Sequence, residues 1–224
     1  MTFSIAARCP RSGMFGLAVS SSSPAVAARC AYARAGVGAA GSQNITDPTL
    51  GPKLLDLMAI GLSAPDAVNA LAAATPMIAY RQLIAVDSSG RTGAFSGERT
   101  LGRHTAAHGE GAVAAGNMLK SSDVPFKMVA AFEVSSGALG SRLLAAMRAG
   151  LDAGGEEGPV HSAGLLLVRD VTWPVADLRV DWSDDDPIQG LEQLWRLYEP
   201  QLEAYVTRAI NPTAAPSYGV PVNR

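Results

Sequence analysis

Apolar and polar residues alternate along the first forty positions in short runs separated by turns. In residues 1–8, Phe3, Ile5 and Ala7 alternate with smaller or more polar residues, which predicts a strand with two different faces. Residues 9–13 form a predicted turn, and 14–20 the returning strand of a hairpin. Further strands are predicted around residues 28–33 and 37–42. This region therefore favours a sheet.

The pattern then changes to the period of a helix. Leu54, Leu55, Met58 and Leu62 recur at helical spacing after Gly51 and Pro52. Residues 63–66 fit a capping box that contains a proline, and they predict a second helix ending near residue 76.

The remaining elements again come in runs. Strands are predicted at 81–87, 91–96, 111–117, 161–168 and 176–182, and helices at 122–134 and 138–153. The glycines and glutamates of 154–158 predict a solvated loop. The acidic run at 183–187 ends in proline, so we interpret it as the N-cap of a last helix extending to about residue 210.

This order of elements predicts the fold class. Runs of strands followed by runs of helices favour an antiparallel α+β layout. The strands are too apolar for one solvated sheet, so we expect two mainly antiparallel sheets packed on each other with helices outside, a four-layer αββα sandwich. We expect one domain over residues 1–210 and a flexible tail over 211–224, which is rich in proline and small residues.

Composition and charge exclude several function classes. The chain is 48% hydrophobic and 17% charged, with a net charge of -2 and no basic run, which argues against nucleic acid as a partner. Arg8 and Arg11 interrupt any secretory pattern, and we find no apolar run of membrane-spanning length. We therefore expect a cytoplasmic protein without a membrane partner, with Cys9 and Cys30 as reduced, buried thiols.

Thr2 is the candidate nucleophile. If Met1 is removed, Thr2 carries a hydroxyl and a free α-amine on adjacent carbons, so one residue supplies both nucleophile and general base. An α-amine titrates at roughly 7.7–8.0, close to neutral pH. The alternative is that Thr2 is simply one of the small residues that commonly follow Met1.

Polar residues near predicted strand ends are candidate partners of Thr2. Gln43 and Asn117 carry amides that can donate to a developing oxyanion, and Asn44 is a candidate substrate contact. Capping of loops is the alternative for all three. Arg81 and Arg179 are candidates for binding a substrate carboxylate, or else belong to structural ion pairs. Asp181 is a candidate partner of either arginine and a further substrate-binding candidate.

Two other motifs resemble a cofactor site and a metal site, but the sequence around each argues against that interpretation. Residues 36–41 match the dinucleotide fingerprint G-x-G-x-x-G, but the polar, proline-terminated stretch after them does not open a helix. His104 and His108 are four residues apart, but the glycines and threonine around them favour a loop without a third ligand. We expect neither a cofactor nor a metal.

A set of short matches then identifies a resemblance. The matching residues are Thr2-Phe3-Ser4-Ile5, Gly36-Val37-Gly38, Ser42-Gln43, Pro48, Gly51, Tyr80-Arg81-Gln82-Leu83, Val86-Asp87, Gly90, Gly116-Asn117, Ser162-Ala163 and Leu178-Arg179-Val180-Asp181. They resemble the domain-of-unknown-function family numbered 1028, which is similar to the N-terminal nucleophile (Ntn) hydrolases. That resemblance implies an αββα sandwich with the nucleophile at the start of the first strand.

One departure from the better-known Ntn hydrolases concerns the charge near the terminal amine. Proteasome-like members use a lysine near the third strand, where this chain has Arg29 and Arg34. An arginine supplies positive charge but cannot shuttle a proton, so the proteasomal mechanism does not transfer intact.

Three functions are consistent with the sequence. The first is an amidohydrolase that cleaves an amide-type C–N bond of a small-molecule substrate with Thr2. The second is a non-catalytic binding or scaffolding module that keeps the Ntn-like fold, favoured if Met1 is retained. The third is a nucleotide-using enzyme. It is the weakest because the sequence after residues 36–41 does not predict the helix that a dinucleotide fingerprint requires. The many alanines and leucines of the outer helices predict a homodimer or larger homo-oligomer.

Overall fold

The computed structural model describes residues 1–217 as two antiparallel sheets between two layers of helices. The strands are β1 (Thr2–Arg8), β2 (Phe15–Ser21), β3 (Ala31–Arg34), β4 (Gly38–Asn44), β5 (Arg81–Asp87), β6 (Thr92–Ser96), β7 (Thr105–Gly109), β8 (Ala112–Asn117), β9 (Ser162–Val168) and β10 (Ala176–Val180). The helices are α1 (Ala27–Cys30), α2 (Leu50–Ala59), α3 (Ala64–Ala74), α4 (Val124–Val134), α5 (Leu139–Asp152), α6 (Pro187–Tyr198) and α7 (Leu202–Ile210).

The strand order confirms the predicted sandwich. The first sheet has the order β10-β9-β2-β1-β8-β7, and the second has the order β3-β4-β5-β6. Helices α4 and α5 pack against the first sheet, and α2 and α3 against the second. The predicted four-layer αββα arrangement is therefore correct, and β1 lies in the interior of its sheet between β2 and β8.

The alternation of residues along β1 decides which way the N-terminal side chains point. Phe3, Ile5 and Ala7 belong to the core beneath α4 and α5. Ala6, on the other face, belongs to the core between the two sheets. Because strand residues alternate between faces, Thr2 and Ser4 face the second sheet.

Two helix starts confirm their predicted caps. The Ser63 hydroxyl accepts the backbone N–H of Asp66 at 3.2 Å. The Asp186 carboxylate accepts the N–H groups of Ile188 and Gln189 at 2.8 and 3.0 Å, with Pro187 as the first helical residue. The acidic run therefore starts a helix, as the sequence predicted.

Three predicted elements differ from the structure. Residues 28–33 are not one strand: α1 carries the chain from the first sheet to the second before β3 begins at Ala31. The loop predicted around His108 is the edge strand β7. The last helix is divided into α6 and α7 by a 3-10 turn that contains Pro200, which cannot donate a helical hydrogen bond.

Three further observations concern the cysteines, the length of the helices and the C-terminal tail. Cys9 and Cys30 are buried and unbridged. No helix within residues 1–217 combines the length and the apolar character needed to cross a bilayer. The tail predicted over 211–224 extends beyond the described residues, and its described part contains a 3-10 turn at Pro212–Ala214.

Candidate functional site

Polar residues from four neighbouring strands line up at one end of the first sheet. Thr2 of β1 lies opposite Asn117 of β8. The pairing of Phe3 with Ser20 brings Ser21 of β2 beside Thr2, and Ser21 in turn lies opposite Ser162 of β9. The antiparallel register therefore gathers residues that are far apart in sequence. We call Asn117, Thr2, Ser21 and Ser162 the polar row.

The carbonyl oxygen of Met1 accepts hydrogen bonds from two hydroxyls of the polar row. Both Thr2 Oγ1 and Ser21 Oγ donate to it, and the two hydroxyl oxygens are 3.3 Å apart. The backbone N–H of Ser23 donates to Ser21 Oγ at 3.1 Å, which leaves the Ser21 proton directed at the carbonyl. Thr2 is 5% exposed, so this arrangement is largely shielded from water. A partly buried carbonyl oxygen that accepts hydrogen bonds from two hydroxyl donors has the geometry of a site that stabilises an oxyanion.

Ser162 fixes the loop that follows Ser21. Its hydroxyl donates to the carbonyl of Ser23 at 2.6 Å and accepts the N–H of Val26 at 3.2 Å. The N–H of Ala25 donates to the carbonyl of Asp181 at 2.9 Å, which ties the same loop to the end of β10. The serines that end β2 are therefore held beside Thr2 by the neighbouring strands.

A buried network of amides crosses from the second sheet to the polar row. The Gln43 amide donates to Gln82 Oε1 at 2.8 Å and accepts the Ser4 hydroxyl at 2.7 Å. Gln82 Oε1 also accepts Asn117 Nδ2 at 3.1 Å, and its own amide donates to Ser96 Oγ at 2.9 Å. These amides hold the two sheets in register next to Thr2, because unpaired buried amides are costly.

One atom of this network has no partner. Asn117 Oδ1 is buried and accepts no hydrogen bond from the residues that the structure describes. Asn117 lies directly opposite Thr2 and its side chain faces the same side of the sheet. Buried acceptors in proteins are almost always hydrogen-bonded. A free amine at Thr2 would be a hydrogen-bond donor next to this oxygen.

We predict that Gln82→Leu destabilises the protein by roughly 2–5 kcal/mol, because it leaves buried donors of Gln43 and Asn117 unpaired. Ser96→Ala removes a single, partly exposed hydroxyl partner of Gln82 and should cost about 1 kcal/mol. Urea unfolding monitored by circular dichroism measures both. Equal stability of the two variants would contradict a structural role for the network.

Glu156 is a site residue that the sequence did not reveal. The loop at 154–158 was predicted to be solvated, which is wrong for this residue: Glu156 is 3% exposed. Gly154 and Gly155, at φ of 117° and 55°, turn the chain so that Glu156 points inward. Its carboxylate accepts the N–H of Ser22 at 3.1 and 3.3 Å. The loop also pairs with Leu119, two residues after Asn117, so Glu156 lies between the ends of β2 and β8.

Burial determines the charge state of this carboxyl. Desolvation raises the pKa of Glu156 to about 7, while the nearby N-terminal amino group and the N–H of Ser22 act in the opposite direction. Glu156 is therefore partly protonated near neutral pH. The thiol of Cys30 also lies within electrostatic reach of the N-terminus, but burial raises its pKa, which keeps it a neutral thiol.

The structure does not bring Asn44 and Arg81 together with Thr2. Their strand neighbours Ala40 and Leu83 pack under α2 and α3, so both side chains face the outer side of the second sheet. The Asn44 amide donates to the carbonyl of Tyr80 at 2.6 Å and accepts the N–H of Leu101 at 3.2 Å. Arg81 donates to the carbonyl of Ile45. Their substrate-binding roles remain predictions from the sequence.

Arg179 and Asp181 lie at the edge strand β10 and beyond its end. Arg179 makes a two-pronged ion pair with Asp177, with both distances 2.8 Å. Asp181 is exposed and contributes its backbone carbonyl to the loop after Ser21. Arg34 pairs with Asp56 at 2.8 Å, whereas Arg29 donates to the carbonyls of Pro24 and Ala25 within that loop.

The candidate metal motif and the dinucleotide fingerprint can also be compared with the structure. Within residues 1–217 there is no group of three or more His, Cys, Asp or Glu side chains placed to hold a metal ion. The glycines at 36–41 lead into strand β4 and not into a helix. The helix that the dinucleotide fingerprint requires is therefore not formed at this position, as the sequence predicted.

Comparison with known proteins identifies the family. The model of DUF1028, described as a family of unknown function, matches residues 2–191. A crystal structure of a DUF1028 protein from Silicibacter pomeroyi is 32% identical, with a TM-score of 0.81 and 88% of each chain covered. No curated protein matches the chain.

Two more distant structures are Anbu (ancestral beta-subunit) proteins. The one from Yersinia bercovieri is 9% identical over 99% of each chain, with a TM-score of 0.39. A Gly-1 mutant from Hyphomicrobium sp. strain MC1 is 12% identical over 98% of this chain and 100% of its own, also with a TM-score of 0.39. The family match and the Silicibacter pomeroyi structure cover most of the chain, and the protein therefore belongs to the DUF1028 family.

Proposed function

We propose that this protein is an amidohydrolase of the N-terminal nucleophile type, which cleaves an amide-type C–N bond of a small molecule with Thr2. The observation that carries the proposal is the carbonyl oxygen of Met1, held by both Thr2 Oγ1 and Ser21 Oγ. A substrate carbonyl bound close to this place would lie against the nucleophile and one oxyanion donor at once.

The first step requires removal of Met1. The nitrogen of Thr2 then becomes a free amine next to the hydroxyl, and it takes the Oγ1 proton directly or through a water molecule. Oγ1 forms a bond to the substrate carbonyl carbon, and the carbonyl oxygen becomes an oxyanion. Ser21 Oγ, held by the N–H of Ser23, donates to that oxyanion.

The intermediate then collapses to an acyl-enzyme. The C–N bond breaks, and the leaving nitrogen takes the proton held by the Thr2 ammonium, which leaves an ester on Oγ1. A water molecule gives a proton to the amine and attacks the ester carbon. The acid leaves, and Oγ1 recovers its proton. Nucleophile and base both belong to Thr2, so these steps need no cofactor or metal.

Asn117 and Gln43 differ in what they can contribute. Asn117 Oδ1, the unpaired acceptor opposite Thr2, would accept an N–H of the Thr2 amine and orient its lone pair toward Oγ1. The Gln43 amide donates to Gln82 and to the carbonyl of Ala115, so we assign it a positioning role through the network rather than contact with the oxyanion.

A second candidate function applies if Met1 is retained. With Met1 in place the Thr2 nitrogen is an amide and cannot act as a base, which is the condition of a binding module that performs no chemistry. In such a protein the Met1 carbonyl keeps the Thr2 and Ser21 hydroxyls occupied, and the Ntn-like fold serves as a binding or scaffolding module.

The two functions differ in their dependence on Met1. We predict that protein lacking Met1 hydrolyses members of a panel of small amides, and that protein shown by intact mass to keep Met1 does not. Release of the amine by each preparation, at matched concentration, is the measurement. Binding of an amide by the processed protein without hydrolysis would support the binding module instead.

A further inference from the structure

Met1 occupies the candidate site much as the acyl part of a substrate would. Its carbonyl oxygen is bound by Thr2 Oγ1 and Ser21 Oγ. Its α-amino group lies within electrostatic reach of Glu156. Its side chain reaches the loop at 154–158, where a Cβ on Gly158 would lie 3.3 Å from Met1 Cε. Carbonyl, amine and side chain of one amino acid therefore each face a different part of the site.

Glu156 is a buried carboxyl group whose surroundings favour binding of a cation. It is 3% exposed, and its hydrogen bonds in the described structure come from the N–H of Ser22. No Lys or Arg side chain of residues 1–217 makes an ion pair with it. Burying an unpaired carboxylate is costly in free energy, so an ammonium group that binds to it removes a large part of that cost.

We propose, building on the amidohydrolase function above, that the substrate is an amide of an α-amino acid with a free amino group, and that Glu156 binds its ammonium. In Met1 the amino group is one carbon from the carbonyl. A substrate carbonyl held between Thr2 and Ser21 therefore places its own α-ammonium on the side of Glu156.

Removal of Met1 vacates the space that its carbonyl, amino group and side chain occupy beside Thr2, Ser21 and Glu156. The new amine of Thr2 arises where the Met1 carbonyl carbon was attached, on the side of Asn117 and the hydroxyls. The former position of the Met1 amino group, toward Glu156, becomes available to the substrate. Thr2 and Glu156 would thus serve different ends of one aminoacyl group.

The test compares methionine p-nitroanilide with N-acetylmethionine p-nitroanilide, using processed protein. The parent protein should prefer the free amine, with a kcat/KM at least about tenfold higher. In Glu156→Gln, which keeps the size of the side chain and an acceptor for Ser22, that ratio should fall by about tenfold or more through KM of the free amine. Glu157→Gln, a change at the exposed neighbour, should keep the parent ratio.

The outcomes separate this inference from the function on which it rests. Equal or better hydrolysis of the acetylated compound would overturn the inference and leave the amidohydrolase standing. A Glu156→Gln variant that slows both compounds equally would also overturn it, because Glu156 would then act on Thr2. Hydrolysis of neither compound, nor of any amide of the panel, would overturn both.

Discussion

Replacing Thr2 by alanine should lower amide turnover by at least about a thousandfold, because it removes the group that forms the covalent bond. The variant should remain folded. Thr2 Oγ1 contacts Met1 and Ser21 but takes no part in the amide network that joins the sheets. Steady-state kinetics on the best amide of the panel, with circular dichroism as the check of folding, measures the effect.

Thr2→Ser is the matched control. Serine keeps the hydroxyl and the small size that allows Met1 to be removed, so this variant should retain part of the turnover. Ser21→Ala should be slower by roughly a hundredfold if its hydroxyl stabilises the oxyanion. A Thr2→Ala protein that hydrolyses the substrate as fast as the parent would exclude Thr2 as nucleophile.

The second large effect concerns stability and pH, through Glu156. Its pKa is raised from 4.5 to about 7 in the folded protein. Between these values the folded state binds more protons than the unfolded state, so the free energy of unfolding falls as pH rises. At one pKa unit per 1.36 kcal/mol, Glu156 should lower stability by about 2 kcal/mol between about pH 5 and pH 7.5.

Glu156→Gln removes this titration. Urea unfolding at several pH values should give a variant whose stability falls less steeply with pH than that of the parent, with the curves converging below pH 5. Glu157→Gln should follow the parent curve, because its side chain is exposed. Parallel curves for the parent and Glu156→Gln would show that the Glu156 carboxyl is not titrated differently by folding.

Local sequence determined the parts of the site that depend on local structure. Alternation in the first eight residues placed Thr2 at the start of a two-faced strand, and the serines at 20–23 placed hydroxyls at the end of its hairpin partner. Caps at Ser63 and Asp186 followed from side chains two or three residues from the groups they bind. These features need no information about distant residues.

Glu156 and Gln82 could not be placed in this way. A glutamate between glycines has the composition of a solvated loop, and its burial depends on Leu119 and Ser22, which are distant in sequence. Gln82 looks like an ordinary strand residue, although its amide joins Gln43 to Asn117. Polar residues that depend on tertiary partners carry no periodic signal, so a role for Asn117 could be predicted from the sequence but its partners could not.

The central claim is that Thr2 becomes an N-terminal nucleophile, and the mass of the N-terminal peptide tests it most directly. Protein purified from its native host is incubated with an amide substrate, quenched in acid and digested. The mechanism predicts a peptide that begins at Thr2, with a fraction carrying the acyl group of the substrate on the threonine hydroxyl. A peptide that still begins with Met1, or an acyl group found only on another residue, would contradict it.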